Sequence, residues 1–517
     1  MEVRSINTFL ASVMFFLFYS CNKKDISVYD ISSNKRKITE CLDSIYRIAQ
    51  QVYLWNDQLP AIDRFNPKLF FQEQTNEIKL YENEIFQLTR YPKNTATNEI
   101  YEYNLLNPEL PKYSTIVQTL PSIDRKPIMD YALSNPFGIS VAMENNNIRL
   151  LYVDPNSPAG KAGLTRGMQI VSINGEKVIS ENSFIKQWQI ALNLSFIKFE
   201  ILDLNLRRRE VRLNASVYEQ NPVVKKLVLD KSNIKIGYLA YNSFTSEENT
   251  RKYLEPAFLT FEQSNVSELI VDLRYNQGGF QASVNFLANM IVPSSVNKKI
   301  MYSEHYNTLM QMGKADILKS RYLLDQNGKP TYDENGTPIT LYDLDYTRST
   351  NTIYFNKESG LHNLKKIYFI ISDMTASASE LLINIFRPYL DVQIIGVSRT
   401  GKQRVKTFGK PVGFFPIKIK QYDLYLSMYQ LLNSKNEGHY FKGIPADQTV
   451  IDEIETDFGS KEDPAIMAII NNGISKKSHR SLVQKNSLNK THTSYYLNND
   501  RLQGNLKTVR DLKIRKK

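Results

Sequence analysis

Two segments of this chain hold residues whose types and spacing could do chemistry on a carbonyl group. Ser377 stands in Thr375-Ala376-Ser377-Ala378-Ser379-Glu380, directly after the apolar run Ile367-Tyr368-Phe369-Ile370-Ile371. The helical pattern Leu381-Leu382-Ile383-Asn384-Ile385-Phe386 follows, so the serine falls at a predicted strand-to-helix turn. A hydroxyl there is exposed and its small neighbours admit a peptide carbonyl. The free amides opening the helix face the charge that nucleophilic attack develops. The same residue types also make an ordinary helix N-cap, with Ser379-Glu380 as a first helical turn. The hexapeptide by itself leaves nucleophile and cap equally open. The second segment, Val271-Asp272-Leu273-Arg274-Tyr275-Asn276-Gln277-Gly278-Gly279, ends a predicted strand with paired glycines. Such a pair permits close backbone approach and an amide aimed at a ligand, or simply a turn.

The elements that must position these residues can be read from the hydrophobic pattern. Ile38 to Trp55 carries apolar residues at helical spacing, and the stretch to about Tyr131 reads as a small, mostly helical domain. Asn135 to about Val217 alternates short apolar runs with turns and predicts a compact β-rich module. From Lys226 to about Ile451, strands (Ile234–Leu239, Leu269–Leu273, Ile367–Ile371, Val392–Gly396) alternate with helices (Ser283–Ile291, Leu381–Leu390), which predicts an α/β layer. Asn327-Gly328 and Asn335-Gly336 mark hairpin turns in an insert. No internal repeat of solenoid period is present.

Length and charge narrow the class. At 517 residues the chain has room for about three domains. Its formal charge is +12, yet the stretch from Ser475 to Lys517 holds twelve Lys/Arg against Asp500 and Asp511. Almost all the excess therefore lies in the tail, and the body offers no broad basic face for phosphates; no nucleic-acid partner is expected. The tail, from 461, reads as a disordered solvated appendage, with contact to an anionic membrane surface as the alternative. Near the N-terminus, Arg4, the apolar run Phe9 to Tyr19 and Ser20-Cys21 have the form of a secretory signal. The run is too short to span a bilayer comfortably. Ser20-Cys21 resembles a bacterial lipoprotein box, with Phe18 where the box usually has Leu. The resemblance implies a signal peptide over 1–20, lipidation of Cys21, a linker over 21–35, and an exported chain anchored to the cell envelope on its periplasmic or outer-membrane side. Only Cys41 would then remain, and one cysteine suits neither an internal disulfide, a metal cluster nor a thiol triad. No metal or organic cofactor is expected.

The β-rich module resembles a PDZ domain. The resemblance rests on Phe137-Gly138-Ile139-Ser140-Val141, on Ser157-Pro158-Ala159-Gly160-Lys161-Ala162-Gly163-Leu164, and on Gly167-Met168-Gln169-Ile170 leading to Ile173-Asn174-Gly175. It implies that an exposed sheet edge takes an extended peptide as an added strand, with amides of Phe137, Gly138 and Ile139 holding a C-terminal carboxylate. The module is expected over 131–220, with 36–130 as the helical domain before it and 225–460 as the α/β core after it.

Together the segments resemble the C-terminal processing, or tail-specific, serine peptidases of family S41. Asp272-Leu273-Arg274-Tyr275-Asn276-Gln277-Gly278-Gly279 stands for the family's Asp-Leu-Arg-x-Asn-x-Gly-Gly, and Thr375 to Glu380 for its Ser-Ala-Ser-Ala-Ser-Glu. The order helical region, PDZ, α/β core is also the family's, over roughly residues 36 to 455. The resemblance implies a multi-domain α/β protein whose peptidase core is of the ClpP/crotonase-like type, acting on polypeptide substrates. It makes Ser377 the nucleophile and gives the oxyanion hole to the amide of Ala378 and one from Gly278 or Gly279. It also makes a lysine in a Thr-Phe-Gly-Lys-like segment the general base.

Thr407-Phe408-Gly409-Lys410 matches that segment, which selects Lys410; Gly401-Lys402 offers Lys402 as the alternative. Lys402 lies 25 residues beyond Ser377 and Lys410 lies 33 beyond. The shorter interval is the family's usual one, whereas the strand-like Pro411 to Ile417 after Lys410 favours the longer. A loop insertion before Lys406 reconciles them, because loops absorb length more readily than strands shift register. A lysine base is chemically reasonable, since burial lowers the amine's pKa. The five histidines (His305, His362, His439, His479, His492) sit in no supporting motif. Many relatives carry a Gln four residues after the lysine; here Phe414 occupies that position, or Lys406 on the other alignment. Gly443-Ile444-Pro445-Ala446-Asp447 resembles a structural turn of the family. The competing reading is a non-catalytic peptide- or ligand-binding protein on the same fold.

Overall fold

The computed structural model describes residues 28–105, 107–119, 135–144, 147–177, 181–325, 328–401, 404–471, 505–506 and 512–515. The signal-like segment, Cys21, Lys402 and Asn327 lie outside the described residues.

Helix α1 (Val28–Val52) buries Ile38, Leu42, Ile45, Ala49 and Val52 along one stripe, the i, i+3, i+4 pattern that the sequence predicts. Short α2 (Ile62–Phe65) follows, then α3 (Glu77–Leu88), started by Asn76, whose side chain accepts the Ile78 N–H at 3.1 Å. Strand β1 (Thr115–Gln118) pairs antiparallel with Tyr422–Tyr425. The helical segment has no core of its own. Its apolar stripe shares one cluster with Leu239, Leu381 and Leu424 of the α/β region, so these helices form one wall of the α/β layer.

The β-rich module comprises β2 (Ile139–Glu144), β3 (Asn147–Val153), α4 (Pro158–Lys161), β4 (Gln169–Ile173), β5 (Glu176–Lys177), α5 (Glu181–Ala191), β6 (Phe196–Leu202) and β7 (Arg208–Asn214). Its sheet runs β2-β3-β4-β6-β7, with β5 folded back on β4. Asn174 and Gly175 both have positive φ, 53° and 87°, the geometry of a tight hairpin turn. Phe137, Ile148, Ile170, Phe184 and Phe199 give the module a separate core. Arg166 fastens it to the rest: Nε donates to the Thr456 carbonyl at 2.9 Å, Nη1 to the Tyr275 hydroxyl at 2.7 Å and Nη2 to Asp452 Oδ1 at 2.8 Å.

The α/β region contributes β8 (Val223–Lys231), β9 (Ile234–Tyr241), α6 (Glu247–Gln263), β10 (Glu268–Asp272), β11 (Gly279–Phe280), α7 (Gln281–Ile291), β12 (Ile300–Tyr306), α8 (Thr308–Gln311) and β13 (Thr352–Tyr354). After them come β14 (Lys366–Ile371), α9 (Ala378–Phe386), β15 (Asp391–Ser398), β16 (Val412–Phe414), β17 (Ile417–Ile419), β18 (Tyr422–Tyr425), β19 (Tyr429–Asn433), β20 (Gln448–Ile451), α10 (Pro464–Ile470) and β21 (Asn505–Leu506). One sheet, ordered β20-β15-β14-β10-β9-β8, is parallel except at its β8–β9 edge. Its central strands β10 and β14 are near-continuous apolar runs because both faces are covered. A second sheet, β11-β21-β16-β19-β12-β13, lies across α7 and α9. Every residue of α9 is buried, as a helix held between layers must be. Helix α10 lies beyond position 461, where the sequence reads as a solvated tail. Ile466 and Ile469 bury against Ile395 and Tyr368, so the folded core extends to that helix.

Candidate active site

The turn after β14 is laced to the turn after β10. Thr375 Oγ1 donates to the Leu273 carbonyl at 2.8 Å, and the Ala376 N–H and Ser379 Oγ both donate to the Asn276 carbonyl at 3.1 Å. Asn276 is itself pinned, with Nδ2 donating to the Tyr241 carbonyl at 2.9 Å and Oδ1 accepting the Gly278 N–H at 2.9 Å. The two motifs, a hundred residues apart in sequence, therefore form one rigid corner. Gly278 and Gly279 have φ of 113° and 142°, outside the reach of other residues. A Cβ on Gly278 would come within 2.9 Å of Ser377 Cβ. The glycine pair is thus required by close approach to the serine.

Ser377 has φ 59° and ψ −111°, a strained conformation for a residue with a side chain. Its N–H donates to Glu380 Oε2 at 2.7 Å, while no described residue hydrogen-bonds to its hydroxyl, which is buried. Ser377 is also the N-cap of α9, in a capping box with Glu380, yet its oxygen completes no full hydrogen bond to a helix amide. Ala378 is the first residue of α9, a position whose N–H has no acceptor within the helix.

Glu380 organises the corner. Its carboxylate accepts the N–H of Ser377, Gly409 and Lys410, each at 2.7 Å, and the Thr407 hydroxyl. Oε2 alone takes both the Ser377 and the Lys410 amides, so one oxygen ties the backbone of the serine to that of the lysine. Burial pushes the Glu380 carboxyl up, opposed by these four donors. Thr407 also accepts the Ile444 N–H at 2.7 Å, which gives the Gly443–Asp447 turn a structural place beside the site.

Lys410 is buried, and its ammonium nitrogen lies 4.6 Å from the centre of the Phe414 ring. Burial lowers its pKa to about 8 against the attraction of Glu102 and Glu380, with Lys112 lowering it further. At pH 7 about a tenth of such a group is neutral, against roughly three in ten thousand for an ordinary lysine. Phe414, four residues on, meets the amine with its aromatic ring. The helical segment builds the other wall: the Tyr113 hydroxyl donates to the Gly409 carbonyl at 2.5 Å. Glu102 accepts from the Tyr53 hydroxyl at 2.9 Å and the Ser114 hydroxyl at 2.7 Å. A cleft of about 1030 Å³, lined by Lys112, Tyr275, Phe408, Tyr440 and Phe441 among others, ends short of Ser377.

Sequence reasoning missed the hub role of Glu380, whose signal is its position three after the serine, and that of Asn276. It had no signal for Glu102 or Tyr113, which reach the site only through tertiary packing. Phe137, Gly138 and Ile139 lie in the module's own core region, where the Gly138 and Ile139 amides both donate to Asn135 Oδ1, at 3.0 and 3.2 Å.

Residues 235–447 match the family model Peptidase family S41. The carboxy-terminal processing protease CtpA of Bacillus subtilis is 25% identical over 330 residues, covering 61% of this chain and 56% of the relative. Its CtpB is 27% identical over 207 residues, covering 38% of this chain and 39% of the relative. This chain thus spans about half the length of the curated relatives it matches, or less. A Bacteroides fragilis crystal structure that carries an S41-protease assignment superposes with a TM-score of 0.55 at 20% identity, covering 83% of this chain and 97% of that one. That likeness is one of fold. The laced motifs at 272–279 and 375–380 and the Thr407–Lys410 segment all fall inside the residues, 235–447, that are similar to peptidase family S41.

Proposed function

We propose that the chain is a serine endopeptidase that cleaves unfolded or C-terminal polypeptide segments by a Ser/Lys mechanism. The observation that carries this reading is the Glu380 hub, which ties the backbone of Ser377, strained and with its hydroxyl unpartnered, to that of a buried Lys410 whose pKa is lowered to about 8. Neutral Lys410 takes the Ser377 hydroxyl proton as Oγ attacks the scissile carbonyl carbon. The amides of Ala378 and Gly279 hold the oxyanion; the Gly278 amide is already bonded to Asn276. The protonated lysine then gives its proton to the leaving amine, and the acyl-enzyme is hydrolysed by a water that Lys410 deprotonates. The β-rich module, read as PDZ, captures the polypeptide. The chain is exported and held at the cell envelope, on its periplasmic or outer-membrane side, by lipid on Cys21.

The test incubates purified protein with a permanently unfolded polypeptide and compares the parent chain with Ser377→Ala, Lys402→Ala and Lys410→Ala. Cleavage lost in Ser377→Ala and Lys410→Ala and kept in Lys402→Ala is the expected result. Equal cleavage by the parent and Ser377→Ala defeats the peptidase reading. Inactivity confined to Lys402→Ala moves the base to that residue.

A further inference from the structure

The second sheet is complete only because the chain's own C-terminal segment is part of it. Asn505 and Leu506 pair in parallel with Gly279 and Phe280 on one side and with Gly413 and Phe414 on the other. Among the described strands, β21 is the link between β11 and β16 in that sheet. Removing it would leave a slot one strand wide with an unpaired backbone edge on each side, the geometry that takes up an extended polypeptide.

The slot is the site described above. Gly279 follows Gly278, which sits against Ser377, and Phe414 holds the Lys410 ammonium. With the segment in place Ser377 is 0% exposed and Lys410 4% exposed, and the neighbouring cleft does not reach the serine. A second set of contacts fastens the end of the segment elsewhere. Ile514 bridges antiparallel to Leu344, the Asp345 N–H donates to the Lys513 carbonyl at 2.8 Å and the Arg515 N–H donates to the Asp343 carbonyl at 2.8 Å. The Lys513 ammonium reaches the Thr350 carbonyl, Arg515 lies 5.8 Å from the Tyr342 ring centre, and Leu512 packs on the main core. The Arg515 guanidinium also lies over Gly313.

We infer that the slot between β11 and β16 is the polypeptide-binding groove and that Asn505 and Leu506 of the same chain occupy it as an intramolecular brake, latched by residues 512–515. The inference rests on the peptidase reading of Ser377. An incoming polypeptide competes for the two edges that Asn505 and Leu506 hold, and the 512–515 latch raises the effective concentration of the segment at the groove.

The experiment compares the full chain, a chain ending at Gly504, and the full chain carrying Leu512→Asp and Ile514→Asp. Two quantities are read: hydrogen exchange of the 278–281 and 412–415 amides, and kcat/KM on a permanently unfolded polypeptide. Shortening or unlatching is expected to speed exchange at both segments and to raise kcat/KM about tenfold or more, mainly through KM. A synthetic peptide of residues 500–517 then inhibits the shortened chain competitively. Should the shortened chain unfold, the latch variant reports the same quantities. Equal kcat/KM in braked and unbraked forms overturns the inference, whatever the exchange shows. Faster exchange with no cleavage by any form leaves the docked segment standing and defeats the peptidase reading instead.

Discussion

The Asp272–Gly279 motif serves two regions that treat buried charge in opposite ways. Its first half belongs to a closed ionic cluster. Arg274 Nε lies 3.0 Å from both Asp272 oxygens, Nη1 reaches Asp452 at 3.0 Å and Nη2 reaches Asp463 at 2.7 Å. Arg166 and the Tyr275 hydroxyl add bonds to Asp452 at 2.8 and 2.5 Å. Its second half, Asn276 to Gly279, adjoins a site that leaves the Ser377 hydroxyl without a partner and depresses the pKa of Lys410. Saturated bonding makes the first region a rigid joint between module, sheet and α10. Incomplete bonding leaves the second region reactive. Buried charge that is fully paired holds shape, whereas a buried amine with its charged form disfavoured can move a proton.

The sharpest way to break the comparison is Ser377→Ala. Cleavage is expected to fall by about a thousandfold or more, while the melting midpoint moves by less than about 2 °C, because the hydroxyl makes no bond in the fold. Lys410→Met should cost about a hundred- to ten-thousandfold in kcat with little change in substrate binding, measured by steady-state kinetics. Arg274→Met should do the reverse. It takes the arginine from buried Asp272 and Asp463 and one of two from Asp452, so a loss of about 3–5 kcal/mol in denaturant titration is expected, with activity failing through unfolding.

Two milder tests sharpen the contrast. Glu380→Gln keeps the shape of the hub but weakens its grip on the Ser377, Gly409 and Lys410 amides. A loss of about ten- to a hundredfold in kcat is expected at nearly unchanged KM. The pH profile then separates the regions. Activity needs the neutral amine, so kcat/KM should rise with pH through a midpoint near 8 set by Lys410. In the joint, burial would raise the Asp452 pKa, but Arg166 and Arg274 outweigh it and hold the group at about 2. Its folded pKa is depressed below the ordinary 3.8, so its contribution to stability is full above that value and is lost as pH falls toward about 2. Thermal melts between pH 6 and 9 should therefore show no transition from Asp452 while kcat/KM rises about ninetyfold.

Much of the scaffold was legible because local pattern and tertiary role agree there. The runs at 234–239, 269–273, 367–371 and 392–396 became parallel strands of one sheet, since strands covered on both faces must be apolar throughout. The Asn174-Gly175 and Asn335-Gly336 turns followed from the need for positive φ. The helical pattern of Ile38 to Trp55 gave a helix but hid its partner, because an apolar stripe does not say which surface will cover it. Glu380 read as a favourable first-turn acid, which describes its place in α9 and none of its four acceptor bonds. The Lys-rich tail read as solvated, although Asn505–Leu506 form a strand and 512–515 dock. Composition alone does not register that two open sheet edges await a strand.

The sequence by itself determined the candidate reactive parts: a serine at a strand-to-helix turn, a glycine pair after a strand, and a lysine in Thr407-Phe408-Gly409-Lys410. Side-chain chemistry and backbone restriction are local properties. Only the tertiary structure decided that one Glu380 oxygen joins serine to lysine, that Glu102 and Tyr113 wall the site, and that Asn505 and Leu506 pair between β11 and β16. These are meetings of segments tens to hundreds of residues apart, fixed by packing and by hydrogen bonds that no single segment can anticipate.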